Sequence, residues 1–242
     1  MWVFAAGIFY LCLQSIDLDQ AWNELSKATP SWLFLGVFSN ACIFGAWASL
    51  WYLLLPKKLS VPFIRVFQAN SLMSTSCNTI PFPGGHAVGV MALARRAKVG
   101  HTVALSVLAL DQLMEGFAKI FVLTLVAIFV PLPERMEQAI LVFIAAIGFF
   151  ASMMFYFAHK KPEVREGRET VSFTGKVRAF VSRWSAHLEV LRDMRIFSLG
   201  LLLALLMMLA QTLGIWAVQK SLNLDLPFWA PILVMGALNL AT

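Results

Sequence analysis

With 242 residues, 60% hydrophobic and 13% charged, and a mean hydropathy of +0.76, the chain lacks the composition of an ordinary soluble domain. Its net charge of +6 would suit nucleic acid. The basic residues, however, sit in loops between apolar runs, where an anionic cytoplasmic leaflet accounts for them and no nucleic-acid partner is expected.

Taken in chain order, residues 1–13 read as a shortened first span, since no basic start and no small-residue cleavage site mark a signal peptide. An acidic connector follows. Its Asp17 and Asp19 are too weak a pair to predict a metal site, and neither metal nor cofactor is expected. Residues 31–55, 102–130, 136–159 and 196–219 each approach or exceed the roughly 20 residues that cross a bilayer. Residues 228–242 stop while still apolar, which suggests a fragment. Cys12, Cys42 and Cys77 show no ligand spacing and read as packing residues.

Charge sets the topology. Residues 159–195 carry Lys160, Lys161, Arg165, Arg168, Lys176, Arg178, Arg183, Arg192 and Arg195, and belong in the cytoplasm. Alternation then places Lys57, Lys58, Arg65, Arg95, Arg96 and Lys98 inside as well. Only Lys27, Arg135 and Lys220 lie outside. Because both Lys57–Arg65 and Arg95–Lys98 face inward, about 62–98 must enter the membrane and return on the same side. A re-entrant hairpin is expected, with Pro81–Gly85 at its tip, where proline and glycine stop a helix; the alternative is two short tilted spans, which would put one basic cluster outside. Its first arm is unusually polar: Gln68, Asn70, Ser71, Ser74, Thr75, Ser76, Asn78 and Thr79. Irregular backbone at membrane depth survives only beside protein or a wet cavity, so this segment predicts a site.

Within the basic loop, Val177, Phe180, Val181, Trp184, Leu188 and Leu191 repeat at helical spacing. They predict an amphipathic helix, lying either on the membrane surface or against the bundle. A register that carries Ser31 onto Ile196 also aligns Val61-Pro62-Phe63 with Leu226-Pro227-Phe228. With an odd number of spans between the two units, the second would be inverted, as in transporters with broken helices. The expected fold is an all-α polytopic bundle, one transmembrane domain over 1–242 with a re-entrant hairpin and an inverted repeat.

Asp111, Glu115 and Lys119 recur at i, i+4 and i+8 on one face of 102–130. Intramembrane ionisable groups face partners or cavities, and Glu115–Lys119 is ordered for an ion pair. The face can lock the bundle or grip a cationic headgroup. Gly84 and Gly85 open the second hairpin arm, so its free amides near the midplane suit a phosphate or another anion. His86 adds a donor or a titrating group. Asn78 and Pro83 flank the tip, and Arg95 and Arg96 at the mouth can recruit anionic headgroups. No catalytic residue is assigned. Soluble-enzyme signatures such as a Walker loop, H-E-x-x-H or G-x-S-x-G are missing.

The run 70–89, with Ile80-Pro-Phe-Pro-Gly-Gly85, then Arg95-Arg96 and 104–115, resembles the transmembrane domain of lysylphosphatidylglycerol synthases, flippase-like integral membrane proteins. The resemblance implies a polytopic fold with re-entrant helices around a cavity, in a plasma (inner) membrane. It implies translocation of an aminoacylated phospholipid or another lipid-linked amphiphile, with membrane lipids and a lipid-modifying enzyme as partners. Where many members carry an acidic residue after the glycines and an arginine in the next span, this chain has His86-Ala87-Val88 and Gln112. The soluble aminoacyl-transfer domain is absent, so covalent chemistry by this chain alone is not expected. The alternative is a membrane-embedded transferase, with Asp111, Glu115 or His86 as base, or an accessory subunit in glycolipid, hopanoid or aminoacyl-lipid synthesis.

Overall fold

The computed structural model describes residues 22–23, 25–80, 84–129, 134–159, 193–227 and 229–241. Regular structure among them is helical: α1 (Pro30–Leu54), α2 (Phe63–Thr79), α3 (Gly84–Arg96), α4 (His101–Phe129), α5 (Glu134–His159), α6 (Met194–Ser221) and α7 (Ala230–Ala241). The first span over 1–13, Asp17, Asp19 and the basic stretch 160–192 with its amphipathic stripe lie outside the described residues.

Local chemistry sets the ends of these helices. Pro30 opens α1, where its missing N–H costs nothing. Leu55, before Pro56, and Ile80, before Pro81, are both extended, as the ring of a following proline requires. The Asp193 carboxylate accepts the Arg195 N–H at 3.0 Å and caps α6. Lys98 and Asn223 adopt left-handed backbone with φ of 54° and 55°. Val99 N–H then reaches Ala94 O, and Leu224 N–H reaches Gln219 O, closing α3 and α6 with the six-to-one bond of a Schellman cap.

Two of the described helices are long and apolar enough to cross a membrane, α1 with mean hydropathy 1.6 and α6 with 2.2. They pack antiparallel along their lengths. Thr29 N–H donates to Ser221 O at 2.9 Å, and Trp32 meets Trp216 edge-on with ring centroids 5.1 Å apart. Further along, Gly36 faces Gly214, and Leu50 lies against Gly200 at the far end. Small residues at these levels let the backbones approach. α4 matches the expected 102–130 closely in extent, but carries Asp111, Glu115 and Lys119. The apolar part of α5 is the shorter Gln138–Met154.

The core lies where α1, α2, α3, α4 and α6 converge, around Trp51, Leu54, Val66, Met73, Leu93, Leu110, Leu113 and Met114. Large apolar side chains such as Phe34, Val37, Phe121, Ile128 and Phe149 point outward and are well exposed. An apolar exterior around a packed interior suits a solvent of lipid tails. Cys42 and Cys77 are free thiols on exposed positions; Cys77 packs against Gly85.

Candidate functional site

The segment around 62–98 forms two helices packed antiparallel, α2 and α3. Arg96 Nη1 donates to Gln68 Oε1 at 2.9 Å where the pair opens, Gly89 packs on Met73 midway, and Gly85 packs on Cys77 near the tip. A Cβ on Gly85 would sit 2.5 Å from Cys77 Cα, and one on Gly89 2.5 Å from Met73 Sδ. The glycines therefore have a packing role that sequence reasoning did not foresee: only hydrogen fits between these helices. Pro83 lies outside the described residues.

Half of the polar first arm satisfies itself. Ser71 Oγ donates to Phe67 O, Thr75 Oγ1 to Ser71 O, Asn78 Nδ2 to Ser74 O and Thr79 Oγ1 to Thr75 O, at 2.9–3.0 Å. This i−4 back-bonding lets hydroxyls and amides sit in an apolar setting without an outside partner. Asn70 differs. It is 1% exposed, and neither its Oδ1 nor its Nδ2 has a hydrogen-bond partner among the described residues.

The ionisable face of α4 meets α1 and α3. Asp111 is fully buried, and Trp47 of α1 donates Nε1–H to both carboxylate oxygens, at 3.1 and 3.2 Å. Trp51, one turn on, sits beside the same carboxylate, and its Nε1 is buried without a hydrogen-bond partner among the described residues. Glu115 Oε2 lies 3.6 Å from Lys119 Nζ, with both side chains one-fifth exposed. Asp111 interacts electrostatically with Glu115, and Glu115 with His86 of α3. His86 Nδ1 also lies 3.8 Å from Cys77 Sγ.

The structure thus unites Asp111, Glu115, Lys119 and His86, with Gly84 and Gly85 at the same end of α3. Lys119 neutralises Glu115. Asp111 has no cation within ion-pair distance among the described residues, and the Trp47 indole is the donor on its carboxylate oxygens. Arg95 and Arg96 are not part of it. They stand on the exposed last turn of α3, ten residues and about 15 Å along the helix from His86. Asn78 lies at the exposed tip end of α2 with its amide donor already committed.

Sequence reasoning missed Trp47 and Trp51. The available signal was chemical: an indole N–H in an apolar span needs an acceptor, and a buried carboxylate needs a donor. No group of three or more metal-ligating side chains occurs among the described residues.

No curated protein and no solved structure matches the chain at a significant level. A family model described as the lysylphosphatidylglycerol synthase TM region matches residues 2–242. That match takes in α1 and α6, the α2–α3 pair and the acidic face of α4 together, and the chain belongs to the lysylphosphatidylglycerol synthase transmembrane-region family.

Proposed function

We propose that this membrane domain is a lipid translocase, carrying an aminoacylated phospholipid or a similar lipid-linked amphiphile across a plasma membrane. The observation that carries the reading is the cluster of Asp111, Glu115, Lys119 and His86 beside the glycine start of α3. Its two carboxyl groups offer acceptors to the amine of an aminoacyl headgroup. The first amides of α3 suit the phosphate.

In this reading the chain is multi-pass and α2–α3 is a re-entrant hairpin, which places His86 and Asp111 well inside the bilayer. Arg95 and Arg96 at its mouth gather anionic headgroups. The units α1–α2 and α6–α7 are inverted copies. The antiparallel packing of α1 on α6 supports this, as does the docking of α2 on α1 and of α7 on α6. Rocking of one unit against the other lifts Trp47 from Asp111 and opens the carboxylate to the headgroup.

Headgroup accessibility in reconstituted vesicles tests the reading. Wild type should move a lysyl-headgroup lipid between leaflets, and Asp111→Asn and Glu115→Gln should each slow that movement while leaving the fold intact. Equal rates in all three, or no movement by wild type, would sink the proposal. Formation of a covalently modified lipid by the purified domain would replace it with the transferase reading.

A further inference from the structure

A groove of about 840 Å³ runs between α1 and α6 with Met235 of α7 at its edge. It is separate from the acidic cluster. Leu33, Val37, Ile43, Ile215 and Val218 make its walls, while Gly36 and Gly214 lower its floor. Two polar side chains line it, Asn40 from α1 and Gln211 from α6.

The contacts between α1 and α6 place these two amides at the same level. Thr29 pairs with Ser221, Trp32 with Trp216 and Gly36 with Gly214, so antiparallel register brings Asn40 opposite Gln211. Both are exposed, and neither makes a side-chain hydrogen bond to a described residue. Asn40 stands ten residues into α1, about 15 Å from its start, which is near mid-depth for a core about 30 Å thick. In a bilayer, two amides at that depth without a partner among the described residues are costly unless a ligand satisfies them.

We infer that this groove binds a diacyl lipid, with an acyl chain along its apolar walls and an ester linkage on the amides of Asn40 and Gln211. The volume falls within the range of about 300–1,000 Å³ typical of ligand pockets, and an apolar concavity with a few convergent polar groups is their usual chemistry. The groove lies between the two described helices that are long and apolar enough to cross a membrane, so its mouth opens to lipid. Amide N–H groups match ester carbonyls, which have no donor of their own.

A linkage held at mid-depth belongs to a lipid displaced from its resting leaflet. The inference therefore deepens the translocase reading and rests on it. Asn40, Ile43 and Trp47 lie on one stripe of α1, at i, i+3 and i+7. The groove thus points along α1 towards the indole that covers Asp111, about 10 Å further on.

The test uses phosphatidylglycerol carrying a diazirine in one acyl chain, in vesicles containing the full chain. Adducts are mapped by mass spectrometry, and leaflet exchange is followed in the same vesicles. Adducts should concentrate on Val37, Ile43, Ile215 and Val218. The Asn40→Leu, Gln211→Leu double variant should lower them about tenfold, as expected for losing two hydrogen bonds, with unchanged melting. Leaflet exchange without groove adducts would overturn the groove and spare the translocase. Groove adducts without leaflet exchange would establish the site and remove the translocase. Adducts between two copies of the chain, with a dimer that the double variant dissociates, would overturn the inference in favour of a protein partner.

Discussion

Trp47 and Asp111, sixty-four positions apart in sequence, meet through a single indole N–H shared by both oxygens of a fully buried carboxylate. The contact ties α1 to α4 and closes the acidic cluster from one side. A buried carboxylate depends heavily on the donors that reach it.

Trp47→Phe keeps most of the aromatic volume and removes only the N–H. It should destabilise the domain by about 1–3 kcal/mol, the usual cost of stranding a buried polar group. Asp111→Leu removes the acceptor instead. Thermal or denaturant unfolding in detergent of both single variants and the double variant should show coupling above about 1 kcal/mol. Simple additivity would mean that the two residues do not depend on each other.

Gly85→Ala places a methyl group against the backbone of Cys77, which cannot rotate away. Overpacking of this kind costs about 1–3 kcal/mol, and α2 and α3 should separate near the tip. Gly45 in α1 is the control, because nothing lies within 4 Å of its added Cβ. Gly45→Ala should stabilise by up to about 1 kcal/mol through helix propensity alone. Unfolding curves of the two variants should therefore move in opposite directions.

Asn70 branches at Cγ as leucine does and holds two buried polar atoms with no partner among the described residues. Asn70→Leu should raise stability by about 1–3 kcal/mol, because both sides of an unmet hydrogen bond disappear. A fall in melting temperature would show that the amide is partnered in the working protein by water or a headgroup.

Much of the architecture is legible in the chain itself. The proline and glycine breaks at Pro56, Pro62 and Pro81–Gly85 mark helix ends, because they act through backbone geometry that needs no tertiary partner. The i, i+4, i+8 spacing placed Asp111, Glu115 and Lys119 on one face, and the Glu115–Lys119 ion pair follows from that spacing alone. The polar arm of α2 was legible as polar, but not as self-satisfied. The hydroxyls of Ser71, Thr75 and Thr79 turn back to their own helix, so composition overstated how much of it faces a ligand.

Sequence by itself determined the membrane character, the helix boundaries and the acidic stripe, because hydropathy, backbone stereochemistry and helical periodicity are local. Only the tertiary structure decided that Trp47 holds Asp111, that His86 comes within electrostatic reach of Glu115, and that Gly85 packs on Cys77. It also brought Asn40 and Gln211 to one level of the groove between α1 and α6. Each of these depends on the register in which distant helices pack, and that register is set by side-chain shape across the whole interface.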